Sequence, residues 1–121
     1  MDVAELSMPT SEQLEQLRIA QLLIERILAI ARSLLGSNRF VDVVTYRVGT
    51  SQDPDYIAEL IEHTGPRDAV TVILGRGGSR NVALWLLLDR TERELNRTMV
   101  ERSAQHGAGH INTRRMGNPA A

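Results

Sequence analysis

The sequence predicts one small α/β domain with the order helix, strand, helix, strand, helix and a parallel βαβ core. Two valine-rich runs, at residues 40–48 and 69–74, hold β-branched and aromatic residues that suit buried strands. Segments with helical periodicity or helix-start signals flank and separate the two runs. A length of 121 residues allows one ordinary domain. We expect residues 11–104 to form it, after a polar leader over 1–10 and before a disordered tail over 105–121.

The first helix is predicted over residues 11–35. Thr10 and Gln13 have the spacing of a capping box, apolar residues then recur at helical intervals, and Gly36 provides a stop. The apolar residues occupy more than one stripe of this helix, so a single covered face would leave part of them in water. We therefore expect a homo-oligomer that assembles through this helix.

The middle of the chain predicts a strand followed by a helix. The run Arg39–Val48 favours a buried strand. Asp53 and Pro54 then have the types preferred at the N-cap and first position of a helix, which we expect to continue to about His63.

The second half predicts another strand at 69–74 and a final helix from about Arg80 to Ser103. Two strands joined by a helix should lie parallel with a right-handed crossover. Because two parallel strands make a poor sheet, we expect a second copy or another chain to complete it. The alternative is an all-α bundle of the death-fold type, in which both valine-rich runs are helical.

The composition excludes several classes of functional site. The chain has no cysteine, which excludes disulfides, thiolate metal sites and a thiol nucleophile. No apolar run has the roughly 20 residues of a membrane span, and no basic signal segment is visible, so we expect a cytoplasmic protein without membrane contact. All 14 basic residues are arginine; residues 1–75 have a net charge of −5 and residues 76–121 of +4. That asymmetry can attract an acidic partner or a second copy.

A glycine-rich segment lies where the second predicted strand gives way to the last helix. Glycines let backbone N–H groups converge on an anion, a helix start adds partial positive charge, and arginines can close on phosphate. The alternative is a tight connection whose glycines have positive φ and whose serine caps the helix. The predicted phosphate-binding residues are Gly75, Arg76, Gly77, Gly78, Ser79 and Arg80.

Three arginines of the last predicted helix, Arg90, Arg93 and Arg97, lie near one another on one face and are candidates for contact with a nucleic-acid backbone. The alternative is a solvated face, neutralised by pairs of Arg90 with Glu94 and of Arg97 with Glu101.

The same region resembles the core of the exonuclease VII large subunit, in which strand, helix and strand lead into a Gly-Arg-Gly-Gly loop and a nearby Leu-Trp pair. The likeness is carried by residues 43–48, 57–61, 68–79 and 84–85. It implies binding of single-stranded DNA by the loop amides of Gly75, Gly77 and Gly78 together with Arg76.

The sequence thus favours binding over turnover: a phosphate group of a nucleotide or nucleic acid would be held without a cofactor, metal or catalytic residue. A structural or assembly protein is the alternative from another class. A nuclease-related protein is a third, which depends on the resemblance alone.

Overall fold

A computed structural model of the chain describes the backbone of residues 8–117 and the side chains of residues 8–105. The described part is a mixed α/β domain of two helices and a three-stranded sheet. Its elements in chain order are α1 (Ser11–Leu35), β1 (Val41–Gly49), β2 (Pro54–His63), β3 (Ala69–Gly77) and α2 (Arg80–Gly117).

The three strands form an antiparallel sheet in the order β1-β2-β3. The predicted parallel βαβ core is therefore wrong, and the all-α alternative is excluded. Residues 50–53 and 64–68, which join the strands, are too few for the crossover that parallel strands need, and links of this length produce hairpins. Both predicted valine-rich strands are present, as β1 and β3.

The segment Pro54–His63, predicted as a helix after Asp53, is the central strand β2. Its apolar residues satisfy a helical spacing, but Tyr56, Ala58 and Leu60 also alternate, which is the period of a strand. Pairing on both sides decides between the two patterns, because a central strand supplies hydrogen-bond partners to β1 and β3 at once.

Helix α1 begins and ends where the sequence predicts. The Thr10 hydroxyl accepts a hydrogen bond from the Gln13 amide at 3.1 Å, and the Gln13 side chain accepts one from the Thr10 amide at 2.8 Å. At the other end Gly36 has a φ of 104°, which favours glycine. The capping box and the glycine stop are both confirmed.

Helix α2 starts at Arg80, as predicted, and continues to Gly117 instead of ending near Ser103. Residues 105–117 of the expected disordered tail are thus helical in the structure. Residues 1–7 of the expected leader and 118–121 of the expected tail lie outside the described residues. Within residues 8–117 no helix is long and apolar enough to cross a membrane.

The two helices run parallel to each other on one face of the sheet. The Asn81 side chain donates to the Gln16 carbonyl oxygen at 3.1 Å, and ten residues further along α1 Arg26 pairs with Glu92 at 3.1 Å. The core between the helices and the sheet consists of the buried residues Ala20, Ile27, Ala31, Ala58, Leu60, Ala83, Leu84, Leu87 and Leu88.

The close approach of α2 to β3 depends on two glycines. A Cβ at Gly75 would lie 2.5 Å from both the Ala83 carbonyl oxygen and the Leu87 amide nitrogen, and one at Gly77 would lie 2.5 Å from a Val82 methyl carbon. Gly78, by contrast, has nothing within 4 Å of its would-be Cβ. The first two glycines are needed for helix packing, and the third is not.

We expect Gly75→Ala to destabilise the protein by at least about 2 kcal/mol, because backbone atoms of α2 must move to admit the methyl group. Gly78→Ala is the matched control, because Gly78 is only three residues further along the chain and has free space around its would-be Cβ. It should change the free energy of unfolding by less than about 1 kcal/mol. Urea denaturation followed by circular dichroism measures both. Equal effects of the two substitutions would contradict this account of the packing.

Candidate anion-binding cleft

The predicted glycine loop is not a loop for most of its length. Gly75 and Gly77 belong to strand β3, where they pair with Ala58 and Tyr56 of β2. The expected convergence of their amides on an anion is not what the structure shows, since ladder pairing spreads successive amides along the strand.

Ser79 caps the helix that follows, as the alternative interpretation predicts. Its hydroxyl accepts a hydrogen bond from the Val82 amide at 3.2 Å, and its carbonyl oxygen accepts one from the Ala83 amide at 2.9 Å. The positive φ of that interpretation is wrong: among the described residues only Gly36 and Gly49 are glycines with positive φ.

Arg76 is separated from the other predicted phosphate ligands. It is paired across the sheet with Ile57, and its guanidinium forms an ion pair with Asp55. Because Ile57 and Asp55 alternate with the inward-facing Tyr56, this ion pair lies on the sheet face opposite the helices. Arg76 therefore does not share a pocket with Arg80.

The predicted arginine row is largely occupied by contacts within the protein. Arg90 donates to the Leu74 carbonyl oxygen of β3 at 2.7 Å, and its expected pair with Glu94 is not formed. Arg93 pairs with Asp89 at 3.1 Å.

Arg97 pairs with Glu94 and, as predicted, with Glu101. The hydrogen bond that Arg97 donates to Glu94, together with the charges of the two nearby carboxylates, raises the pKa of Arg97, and the same contact lowers the pKa of Glu94. Two of the three arginines of the row are therefore paired with carboxylates, and the guanidinium of the third, Arg90, is engaged by a backbone carbonyl oxygen.

A different cleft gathers two of the chain's arginines at the start of α2. It has a volume of about 350 Å³. The residues that line it are Thr45, Tyr46, Arg47, Tyr56, Ser79 and Arg80. Ser79 and Arg80 belong to the predicted site, whereas the β1 and β2 residues were not predicted.

Strand register explains how these residues come together. Arg47 of β1 is the partner of Tyr56 in β2, and Tyr56 is the partner of Gly77 in β3, so the three form one row across the sheet. Two residues after Gly77 the chain turns into α2 at Ser79 and Arg80. The start of the helix thereby follows the β3 end of this row, and Ser79 and Arg80 line one cleft together with Arg47 and Tyr56 of the row.

The cleft is electropositive. Arg47 and Arg80 are both exposed, and neither forms an ion pair with a carboxylate among residues 8–105. The first turn of α2 contains no acidic residue, and the first amides of a helix lack partners within it. Arg80 also borders a neighbouring cleft of about 640 Å³, lined in part by Glu12 of α1. This cleft could not be predicted from the sequence, because the helix predicted over residues 54–63 would separate Arg47 from Arg80.

In the described part of the chain, no group of three or more histidine, aspartate or glutamate side chains is placed to hold a metal ion. The segment 57–61, helical in the exonuclease VII resemblance, is part of strand β2. Comparison with protein-family models, with curated proteins and with solved structures gives no match.

The open face of the sheet has a polar centre that links all three strands. Half-buried Glu59 of β2 accepts hydrogen bonds from the hydroxyls of Tyr46 in β1 and Thr71 in β3. These two bonds, the one from Thr71 first, lower the pKa of Glu59, and the bond to the carboxylate raises the pKa of Tyr46. The ionised form of Glu59 is thus favoured by folding.

We expect the Glu59 contacts to make stability depend on acid pH. The folded-state pKa lies below the ordinary value of 4.5, so the contribution is present above that pH and is lost as the pH falls through the lowered pKa. Glu59→Gln should flatten the loss of unfolding free energy between about pH 5 and pH 2.

Glu15→Gln, at an exposed carboxylate of α1, is the control. Glu62, whose pKa Arg39 lowers, remains in both variants and contributes equally. Urea denaturation at a series of pH values measures the effect, and identical pH profiles for the two variants would contradict it.

Proposed function

We propose that this protein is a non-catalytic binding protein that receives a phosphate group in the cleft between Arg47 and Arg80. The observation that carries the proposal is that two arginines, from β1 and from the start of α2, line one cleft to which no described residue contributes a carboxylate. Two cations that line the same cleft without a carboxylate partner among residues 8–105 repel each other, and an anion bound between them offsets that repulsion.

The remaining groups of the cleft suit phosphate oxygens. Thr45, Tyr56 and Ser79 carry hydroxyls that can donate hydrogen bonds. The start of α2 adds partial positive charge from the helix dipole, with no acid in the first turn to offset it. Arginine in particular binds phosphate through two parallel N–H bonds.

The shape of the cleft favours a phosphate that is part of a larger molecule. At about 350 Å³ it is near the lower limit of small-molecule pockets, and both arginines reach solvent. A nucleotide or a strand of nucleic acid can place one phosphate group there while the rest stays outside. Because Arg93 and Arg97 are paired with carboxylates and Arg90 donates to a backbone carbonyl oxygen, we expect few phosphate contacts and weak, salt-dependent binding.

We expect Arg47→Ala and Arg80→Ala each to weaken binding of a labelled single-stranded oligonucleotide about tenfold, the equivalent of one charge-assisted hydrogen bond. Each should also reduce the slope of log K against log salt by about 0.7, the value for one lost phosphate contact on a single strand. Fluorescence anisotropy at several salt concentrations provides both numbers, and competition with inorganic phosphate tests whether the group alone is bound.

Arg67→Ala is the matched control. Arg67 is an exposed arginine in the turn between β2 and β3, at the opposite end of the sheet from Arg47. Its loss removes the same charge and should leave affinity within about twofold, since only distant electrostatics change. Equal weakening by all three substitutions would indicate nonspecific attraction, and unchanged affinity in the cleft variants would reject the proposed function.

A further inference from the structure

The helix layer has an apolar outer surface on the side away from the sheet. Side chains of α1 and α2 form a groove of about 480 Å³ there. The helix-face patch, as we name it, consists of Ile19, Leu22, Leu23, Trp85 and Leu88, with Arg26 and Glu92 at one end.

The two most prominent members of the helix-face patch are strongly exposed. Trp85 has 61% of its surface accessible and Leu22 has 59%, while Leu88 forms a buried floor between them. A tryptophan can bury up to about 250 Å² and is among the residues most enriched in protein interfaces. Single exposed apolar residues are normal, but a contiguous group across two elements, bordered by charges, is typical of an interaction site.

The charges at its border make the helix-face patch complementary to itself. Arg26 and Glu92 pair at 3.1 Å, yet their side chains remain 65% and 40% exposed, so both can take new partners. In a two-fold dimer the same patch meets itself, and the Arg26 of each copy can face the Glu92 of the other. Because the charges of Arg26 and Glu92 cancel, the border would not attract a partner of strong net charge.

The size of the helix layer is also adequate for a dimer. The 25 residues of α1 are about 37 Å long, and two adjacent helices present a width of about 20 Å. The projected face is therefore roughly 700 Å², close to the about 800 Å² per partner of a standard interface. The cleft at Arg47 and Arg80 is separate from this face, since the two share no lining residue. Phosphate binding therefore does not account for the apolar residues and paired charges of the helix-face patch.

From these observations we infer that the helix-face patch binds a second copy of this chain, so that two helix layers meet in the middle of a dimer and the two sheets lie outside. Each Trp85 is then covered by the opposite copy. The two clefts at the starts of α2 remain open, so dimer formation and phosphate binding are independent properties.

The test measures the mass of the full chain by sedimentation over a dilution series. We expect a dimer that dissociates on dilution. Leu22→Glu should weaken association at least about tenfold, because it places a charge in the apolar centre. Phe40→Glu is the matched control: Phe40 is 76% exposed but lies between α1 and β1, outside the patch, and its substitution should leave the dimer intact.

A charge exchange tests the border. Arg26→Glu leaves two carboxylates at the border of each copy and should weaken the dimer, whereas Arg26→Glu combined with Glu92→Arg should restore it. If the Arg26–Glu92 pair only holds α1 to α2 within one copy, the double substitution restores the stability of the fold but neither variant changes the mass in solution. The mass in solution therefore decides between the two roles.

Trp85 supplies a measurement that needs no variant, since it is the only tryptophan in the chain. Its accessibility to iodide quenching should fall as the concentration rises through the range in which the dimer forms. A monomer at all concentrations, a dimer insensitive to Leu22→Glu, or a dimer in which Trp85 stays equally accessible would each overturn the inference. None of these results affects binding at Arg47 and Arg80, which the oligonucleotide measurements test separately.

Discussion

The contact between the start of α2 and strand β3 is the constraint on which the rest of the structure depends. The helix approaches the strand so closely, with backbone atoms at Gly75 and with the Val82 side chain at Gly77, that no side chain fits at either position. This contact sets the height of α2 above the sheet and brings Ala83 and Leu87 into the core. It also determines where Arg80 lies relative to the row of residues that ends in Arg47.

Local signals in the sequence were sufficient for elements that depend on local interactions. The Thr10 capping box, the Gly36 stop and the β-branched character of β1 and β3 each act within a few residues, and the structure has each of them in its predicted place. The segment Pro54–His63 shows where such signals fail. Its apolar residues fit two periods, and hydrogen bonds to strands on both sides, which no local pattern records, select the strand.

The same difference between local signals and contacts among distant segments explains why the predicted phosphate-binding residues do not form one site. Glycines that let amides converge on an anion and glycines that let a helix pack against a strand look alike in a sequence, because both positions need the absence of Cβ. Only the position of α2 shows that Gly75 and Gly77 are of the second kind. Arg47 belongs to no recognisable sequence motif. It lies in the same cleft as Arg80 because of the antiparallel register, which could not be predicted once the central strand was assigned as a helix.

The parallel course of the two helices has an electrostatic consequence. An odd number of strands separates α1 from α2, so both helices start at the same end of the domain, where Gln16 meets Asn81. Their peptide dipoles add instead of cancelling, and the positive poles lie together near Arg80. The molecule is thus polarised along its length, and an approaching anion is turned toward one end by the long-range field before it touches any side chain.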